Sequence, residues 1–381
     1  MIIMRPLSTR TSRSRESAGI AIFVVLIWIF FLSAIAGAFA LYMKTETKLA
    51  MNSNNDTELQ WVGRSGVEYC RWLLGAQMSI GNQPYDALNQ KWAGGTGDTN
   101  DIFADVTTTV EVADGARFTW KIVDSERKFN VNMALSMEGV LQQALILIGA
   151  DAAVVPTVVG SIQDWIDRDD DTHISGAENS YYQGLKIPYS AKNGPIDDLS
   201  ELLFVQGVTS DLYWGQNAAN HPPSFWQEAT GNFGSTRPSG VLATRGGGPG
   251  APAGPIAGLV DIFTPISSGR INLNTASRTA LQMIPGIDEN MADAIIRMRA
   301  GPDGIDGNED DTPLRQPGGR DLINVGLSAQ AAQSLGQYCD VRSSTFEVEV
   351  LAEVGSSTRR YHAVLKRNGP KDVQILTLHW D

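Results

Sequence analysis

The sequence predicts an α+β protein in which a long amino-terminal helix packs on an antiparallel β-sheet that carries a large inserted α-helical domain. Three observations predict this fold class. An uncharged apolar stretch continues into a helical pattern, strand patterns occur in two distant parts of the chain, and a repeated helical pattern lies between them.

The long helix is predicted over residues 20–74. No charged residue occurs from Ser17 to Met43, and a helix of that length extends about 40 Å, enough to cross a bilayer with tilt. An apolar stripe at helical spacing follows, formed by Leu59, Val62, Gly66, Tyr69 and Leu73. We expect the first half of the helix to lie in a membrane and the second half to pack on a domain.

Residues 1–19 are predicted to form a prepilin-type leader. Four arginines stand there against Glu16 alone, which favours a cytoplasmic amino end. The leader ends at Gly19 and the apolar helix starts at Ile20 with no spacer, so cleavage between these two residues would leave the helix in place. Two alternatives stay open: a secretory signal cleaved after Ala40, and an uncleaved signal anchor.

Five segments with strand alternation predict a single antiparallel sheet. The first two flank the hairpin signal Asp114-Gly115, and the last three lie near the carboxyl end, with glycines in the turns between them. The segments are Val106–Val112, Phe118–Val123, Phe346–Glu353, Arg360–Lys366 and Val373–Trp380. The sheet domain therefore comprises residues 75–127 and 341–381, interrupted by an insertion.

The insertion contains an internal repeat. Residues 128–134, KFNVNMA, read like residues 270–276, RINLNTA, and each copy continues with two short helical patterns and an acidic loop. We expect two related helical modules of the SAM-like or helix–hairpin–helix kind, over 128–233 and 270–340. A Gly-, Pro- and Ala-rich linker over 234–269, whose centre is expected to be mobile, would join them.

The composition narrows the classes of function. The formal net charge of −12 argues against nonspecific binding of nucleic acid. No Ser-His-Asp, Cys-His, P-loop or dinucleotide motif is present, so we predict that the protein is not an enzyme. Cys70 and Cys339 would either form a disulfide in an oxidising compartment or remain as buried thiols.

The first acidic loop predicts a calcium site. Its oxygen-bearing residues follow positions 1, 3, 5, 7, 9 and 12 of a calcium-binding loop, and they are Asp167, Asp169, Asp171, His173 (through its carbonyl), Ser175 and Glu178. Thr172 stands where such a loop uses glycine, so the geometry need not be that of an EF-hand. The alternative is a solvated acidic loop, which we disfavour because close carboxylates repel one another.

The second acidic loop, residues 301–311, alternates oxygen-bearing side chains with glycines, which also suits a hard cation. Asp303, Asp306, Asn308 and Asp310 are the candidate calcium ligands. Their order fits no fixed spacing rule, so a second calcium site and a solvated loop stay equally open.

The segment from Leu281 to Ile287, followed by Ala292, Ile295 and Ile296, resembles a helix–hairpin–helix. In DNA-binding members of that group, hairpin N–H groups bind a phosphate. Here Asp288 and Glu289 follow the hairpin and would repel a phosphate, so we favour a structural role. A membrane-anchored DNA-binding protein for uptake is the alternative.

Together these residues resemble the minor pseudopilin K family of the type II secretion system. The most specific similarity to its first helical module lies in Asp164–Asp167, Gly176–Tyr182 and Asp198–Leu202, and Arg270–Ala276 looks like the start of its second module. The resemblance implies a pilin fold, calcium binding, and a structural role at the tip of a periplasmic pseudopilus that exports proteins across the outer membrane. A minor pilin of a type IV pilus is a further alternative.

The resemblance also implies partners and a location. The partners are the minor pseudopilins I, J and H, the prepilin peptidase and the inner-membrane assembly platform, with no nucleic acid among them. The chain would cross the inner membrane once, with a methylated mature amino terminus and a periplasmic carboxyl-terminal domain.

Val24 bears on the tip position. If Ile20 is the first mature residue, Val24 is the fifth, where most pilin-like subunits resemble one another in carrying a glutamate. That glutamate neutralises a neighbour's amino terminus within the bilayer, where an unpaired charge is costly. A subunit with valine at this position fits the tip.

Overall fold

The computed structural model describes residues 16–97, 103, 105–113, 115–215, 257–318, 322–323, 328, 332 and 335–381. The chain divides into two compact units, Met1–Trp61 and Val62–Asp381. Helix α1, Glu16–Met78, contributes to both. The predicted cleavage at Gly19 and Ile20 falls at the margin of the described residues, and most of the leader lies outside them.

The described part of the first unit is the amino-terminal portion of α1. Every described side chain from Ile20 to Met51 is exposed, and this helix is long and apolar enough to cross a membrane. Exposed apolar surface of this extent is costly in water and favourable in lipid. The long apolar helix predicted from the sequence is confirmed.

Within the second unit, α1 packs on the sheet through glycines. A Cβ atom at Gly63 would lie 2.1 Å from the Tyr361 ring, and one at Gly66 would lie 2.5 Å from a methyl group of Val350. Only residues without a side chain allow the helix to approach so closely. The flanking positions Val62 and Leu73 are buried, as the predicted stripe requires.

Nine strands are present in the described part of the chain. In chain order they are β1 (Thr109–Ala113), β2 (Ala116–Asp124), β3 (Phe129–Asn130), β4 (Phe263–Thr264), β5 (Ile271–Asn272), β6 (Cys339–Asp340), β7 (Thr345–Val354), β8 (Ser357–Gly369) and β9 (Asp372–Trp380). The main sheet has the order β1-β2-β7-β8-β9, and every pairing in it is antiparallel. The prediction of one antiparallel sheet interrupted by an insertion is confirmed.

The α-helices whose bounds the structure describes after α1 are short and lie in the insertion. They are α2 (Glu138–Leu147), α3 (Val155–Ile166), α4 (Asn179–Tyr182), α5 (Ser210–Trp214), α6 (Leu259–Ile262), α7 (Arg278–Gln282) and α8 (Glu289–Arg299). One hydrophobic core runs through the insertion, from Phe129 to Val341, and α2 packs on α7. The two predicted modules therefore share a core.

The predicted repeat has a structural counterpart. Strand β3 pairs in parallel with β4, and β5 pairs in parallel with β6. In each copy, an asparagine side-chain amide forms hydrogen bonds with both the backbone N–H and the backbone C=O of one residue that follows the acidic loop. Asn132 does so with Ile196 at 2.7 and 2.9 Å, and Asn274 does so with Leu314 at 2.8 and 2.9 Å.

The end of the predicted linker is structured. Residues 257–269 contain α6 and β4, and Leu259, Ile262 and Phe263 are buried in the core of the insertion. The linker prediction was therefore too long at this end, because these apolar side chains close the first module. Most of the predicted linker, residues 234–256, lies outside the described residues.

A buried polar network joins the sheet to the second module. Oδ2 of Asp124, at the end of β2, accepts hydrogen bonds from Asn272, Thr275 and Ser343 at 3.1, 2.5 and 2.7 Å. Asp124 is 2 % exposed. Burial outweighs these hydrogen bonds and raises the pKa of Asp124 to about 6.

Two further carboxylates lie close to Asp124. Glu126 accepts from the backbone and the hydroxyl of Ser344 at 3.0 and 2.6 Å, and burial, then the charge of Asp124, raises its pKa to about 7. Asp86 forms a buried ion pair with Arg367. The junction thus buries three carboxylates beside one guanidinium.

The two cysteines are free and buried. Cys70 lies on α1, whereas Cys339 lies in β6 and belongs to the core of the insertion. Burial raises the pKa of both thiols. Of the two alternatives, the structure therefore shows buried thiols and no disulfide.

Candidate metal centre

The first acidic loop follows α3 and is anchored by a carboxylate within that helix. Asp164, in the last turn, is fully buried. A carboxylate at this place is doubly disfavoured, because burial removes its hydration and the carboxyl end of a helix carries partial negative charge. A carboxylate at this place therefore needs hydrogen-bond donors or positive charge close to it.

Only part of the Asp164 carboxylate is satisfied. Oδ1 accepts from the backbone N–H of His173 at 2.9 Å and lies 2.6 Å from Nδ1 of that ring. Oδ2 is buried with no hydrogen-bond partner among the described residues. A Cβ atom at Gly176 would lie 2.1 Å from Oδ2, so glycine is required where the loop backbone crosses this oxygen.

Two more carboxylates complete the cluster. Oδ1 of Asp167 and both carboxylate oxygens of Glu178 are buried and lack partners within the described chain. Glu178 is only 2 % exposed. The pKa of Glu178 is raised to about 7, mainly by burial and then by the negative charges of Asp164, Asp167 and Asp170. The pKa of Asp167 is also raised, mainly by burial and then by the negative charge of Asp169.

The geometry suits a hard cation. Ligand atoms of Asp164, Asp167 and His173 lie within 4.8 Å of one another. Buried carboxylate oxygens without donors, at close quarters with like charges, are stabilised by a divalent ion that accepts several oxygen ligands. Glu178 lies outside this close group, but the charges of Asp164 and Asp167 act on it. The three carboxylates of Asp164, Asp167 and Glu178 are here called the first cation cluster, and their oxygens are ligands of the kind that calcium takes.

The predicted ligands of this loop occupy different environments. Asp167 and Glu178 belong to the cluster, but the side chains of Asp169, Asp171 and Ser175 are exposed. Oδ1 of Asp169 accepts from the backbone of Asp171 at 3.0 Å. The carbonyl of His173 accepts from Gly176 at 2.9 Å.

Sequence spacing missed Asp164 as a candidate ligand, because it precedes the loop and lies within the helix. Asp170 was also left out of the predicted ligand set. Its Oδ1 accepts from Asn179 at 2.6 Å and from Asn193 at 3.1 Å. These bonds fasten the loop to the segment that follows it.

The second acidic loop is arranged differently. Arg299 of α8 pairs with Asp306 through two hydrogen bonds of 3.0 and 2.8 Å. Asp303 accepts from Asn308 at 2.6 Å. Asp306 is therefore already neutralised by a guanidinium, which weakens this loop as a calcium site.

One group in the second loop still lacks a donor. Oδ1 of Asp311 is buried without a partner among the described residues, while Oδ2 accepts from Gly307 at 2.8 Å. Burial is the main cause that raises the pKa of Asp311. Asp310 is exposed, and its backbone N–H donates to Asn308 at 3.3 Å.

The hairpin between α7 and α8 is closed by Gly286, whose φ is +90°. Asp288 caps α8 by accepting from Met291 at 2.8 Å. Arg278, which lies on α7, pairs with Asp293 at 2.5 Å. The hairpin surface thus carries several carboxylates, and its arginine is already paired with one of them, which does not favour a DNA phosphate.

The described chain thus combines a helix long and apolar enough to cross a membrane, an antiparallel sheet and an inserted helical domain that holds a candidate cation site. Residues 127–215 match the family model for type II secretion system (T2SS) protein K, and residues 267–304 match the helix-hairpin-helix motif. The resemblance of this chain to the protein K family is confirmed by these matches.

Individual relatives carry the same description. The chain is 24% identical over 214 residues to the putative type II secretion system protein K of Escherichia coli K12, covering 52% of this chain and 61% of that protein. It is 32% identical over 113 residues to the protein K of Pectobacterium carotovorum, covering 26% and 34%. The aligned region thus spans less than two thirds of the length of either relative.

A solved structure shares the fold. The chain aligns with a chain from the GspK-GspI-GspJ complex of the enterotoxigenic Escherichia coli type 2 secretion system, with a TM-score of 0.57 and 15% sequence identity. The alignment covers 87% of this chain and 99% of the other. The mixed fold, with its long helix, sheet and insertion, is therefore one already seen in that secretion system.

Proposed function

We propose that the protein is a structural minor pseudopilin at the tip of a type II secretion pseudopilus, where it helps to initiate pseudopilus assembly and protein export across the outer membrane. The observation that carries this proposal is the protein K module over residues 127–215, inserted into a sheet that packs on an apolar helix. The fold match to the GspK-GspI-GspJ complex supports pseudopilins I and J as partners, and pseudopilin H would join them.

Val24 supports the tip position within this proposal. It lies in the apolar part of α1 and supplies no carboxylate for the amino terminus of a neighbouring subunit. A carboxylate there would be costly unless it were paired. The subunit therefore fits the end of the filament, where no further subunit needs that partner.

The proposed arrangement in the cell follows from the charges and the apolar helix. The basic leader stays in the cytoplasm, is cut between Gly19 and Ile20 by the prepilin peptidase, and leaves a helix that crosses the inner membrane once. The sheet and its insertion lie in the periplasm, and the helix engages the inner-membrane assembly platform.

Calcium is the ion proposed for the first cation cluster. Asp164, Asp167 and Glu178 would hold it, and its positive charge would neutralise carboxylates that otherwise repel one another. Since Asp164 belongs to α3 and Glu178 immediately precedes α4, the ion would tie the two ends of the loop together. Asp303, Asp310 and Asp311 are the corresponding candidates in the second loop.

Co-purification from membranes tests the proposed assembly. The full chain, tagged at its carboxyl end, is expressed with pseudopilins I, J and H, solubilised in mild detergent and captured. We expect I and J to be retained in fixed ratio, whereas an equally tagged shaft pseudopilin retains less of both. Capture of the chain alone, while I and J still bind each other, would contradict the proposal.

The same preparation tests the alternative function. Duplex DNA at low salt is the most favourable condition for a protein that contacts phosphates. We expect no shift of a labelled duplex in a gel, because the hairpin is flanked by Asp288 and Glu289. A salt-sensitive shift that Gly286→Asp abolishes would favour the DNA-uptake alternative.

A further inference from the structure

Two of the four histidines lie opposite each other on the solvent face of the sheet. His362 of β8 and His379 of β9 are paired directly in the antiparallel register. Their rings are nearly parallel, with centroids 5.3 Å apart and an interplanar angle of 19°. The neighbours Tyr361 and Ala363 are buried on the opposite face of the sheet, so both imidazoles are accessible from solvent.

Carboxylates border the histidine pair on two sides. Oδ1 of Asp381 lies 3.4 Å from Nε2 of His362. On the other side, Glu349 of β7 is the register partner of His362. The carboxylate of Glu349 forms an ion pair with Arg360 at 2.9 Å. Glu347 and Lys121 line the same surface. Since Glu349 is held by arginine, Asp381 is the carboxylate that the described structure places in contact with an imidazole.

This set of donors has a different chemistry from the acidic loops. Directly opposed residues of antiparallel strands have Cβ atoms about 4.5–5.5 Å apart, so small rotations of both side chains can aim two ring nitrogens at one ion. Imidazole nitrogen suits Zn²⁺, Cu²⁺ and Ni²⁺, whereas Ca²⁺ takes oxygen ligands.

We propose that His362, His379 and Asp381 form a binding site for a divalent transition metal, with water completing the coordination. The ion would fasten β9, which is the last strand of the sheet, to β8. The site is independent of the proposed pseudopilus function, since it rests only on the cross-strand pair and its neighbouring carboxylate.

The test uses the full chain in detergent micelles, saturated with calcium and carrying no polyhistidine tag. Zn²⁺ is titrated by calorimetry at pH 7.5, and Cu²⁺ is added for electron paramagnetic resonance. We expect one Zn²⁺ per chain and a Cu²⁺ spectrum with coupling to two imidazole nitrogens. The Zn²⁺ affinity should fall at pH 5.5, because protons compete for the ring nitrogens.

Matched variants identify the ligands. Loss of a residue that only supports a metal ligand lowers metal affinity by about 10- to 100-fold. His362→Asn and His379→Asn should each lower the Zn²⁺ affinity by more than this, because each removes a ligand. His173→Asn, at the histidine of the first acidic loop, should leave that affinity unchanged. Unaltered calcium-dependent melting shows that the His362 and His379 variants are folded, and an unaltered far-ultraviolet circular dichroism spectrum shows it for His173→Asn.

Two results would overturn the site. One is a first equivalent of Zn²⁺ that binds the double variant His362→Asn/His379→Asn as tightly as the unaltered chain. The other is the absence of saturable Zn²⁺ binding in the unaltered chain, which would mean that the two rings only stack on each other.

Discussion

Replacement of Glu178 by glutamine is expected to have opposite effects on stability with and without calcium. Without calcium, the buried carboxylate faces Asp164 and Asp167, and its pKa lies at about 7 instead of the ordinary 4.5. A carboxylate whose pKa is raised on folding destabilises the folded state as the pH rises through that value. Glutamine has the same shape and no charge, so Glu178→Gln removes the penalty.

The size of the effect follows from the pKa shift. One pKa unit corresponds to about 1.4 kcal/mol, which sets an upper limit of about 3.5 kcal/mol for Glu178 above pH 7. Screening by nearby solvent reduces this to about 1–2 kcal/mol. At about 2–4 °C per kcal/mol, the variant should melt several degrees higher than the unaltered chain in chelator.

Calcium should reverse the order. A ligand that binds only the folded state adds RT ln(1 + [L]/Kd) to the free energy of unfolding, about 2.7 kcal/mol at a concentration of 100 Kd. The unaltered chain gains this amount in full. Glu178→Gln offers one carboxylate fewer, binds calcium more weakly and gains less, so it should melt below the unaltered chain.

Thermal unfolding of the full chain in detergent, followed by tryptophan fluorescence at pH 7.5 with chelator or calcium, measures the crossover. Glu138→Gln is the matched control, because Glu138 is exposed in the same module and, within the described part of the chain, accepts only from Gln142 at 2.7 Å. It should change little under either condition. If Glu178→Gln melts lower than the unaltered chain in both, Glu178 is not part of a cation site.

Three further outcomes are expected. Amino-terminal sequencing of the membrane-bound protein should start at Ile20, whereas a start at Leu41 would exclude the pilin-type helix. Val24→Glu should impair reporter secretion and capture of the tip complex, since an unpaired intramembrane charge costs about 2.5–3.5 kcal/mol. Val24→Ala should be tolerated, and equal secretion by the two variants would refute the tip argument. In saturating calcium, the free energy of unfolding should fall as the pH rises from about 4 to about 7, because the pKa values of Asp124 and Glu126 are raised in the folded state. Chemical denaturation of the double variant Asp124→Asn/Glu126→Gln should show a smaller pH dependence over this range. An unchanged pH dependence would show that neither group causes it.

The main sheet could be predicted because its strands obey a simple rule. Buried and exposed residues alternate along β2 and β7, so period-two patterns and turn glycines locate each strand within a few residues. The long helix was equally accessible, since its apolar stretch and its stripe are both local patterns. The repeat was visible because both copies keep an asparagine that holds the chain beyond its acidic loop.

Only some of the carboxylates in the first cation cluster could be predicted from the sequence. A loop-spacing rule counts from the first loop residue, so it reached Asp167 and Glu178 but not Asp164 in the preceding helix. The same rule places side chains such as Asp171 at ligand positions, although the loop leaves them exposed. The glycine that lets the loop backbone approach Asp164 is Gly176, whereas the loop-spacing rule expects a glycine at position 172, where this chain has threonine.

Contacts between distant parts of the chain were beyond sequence reasoning. Even the nearby pair of Arg299 and Asp306 could not be predicted, because it depends on how α8 ends. His362 and His379 show no metal-ligand spacing along the chain, and only the register of β8 and β9 brings them together. The junction around Asp124 likewise joins residues that are far apart in sequence.

Labelling of isolated pseudopili tests the tip position most directly. An epitope inserted into the Gly-, Pro- and Ala-rich segment 234–256, outside the described residues, marks the subunit and leaves the described elements unchanged in sequence. The account predicts gold label at one end of each filament and none along the shaft. Label distributed along the filaments, or filaments of unchanged number and length without this protein, would contradict it.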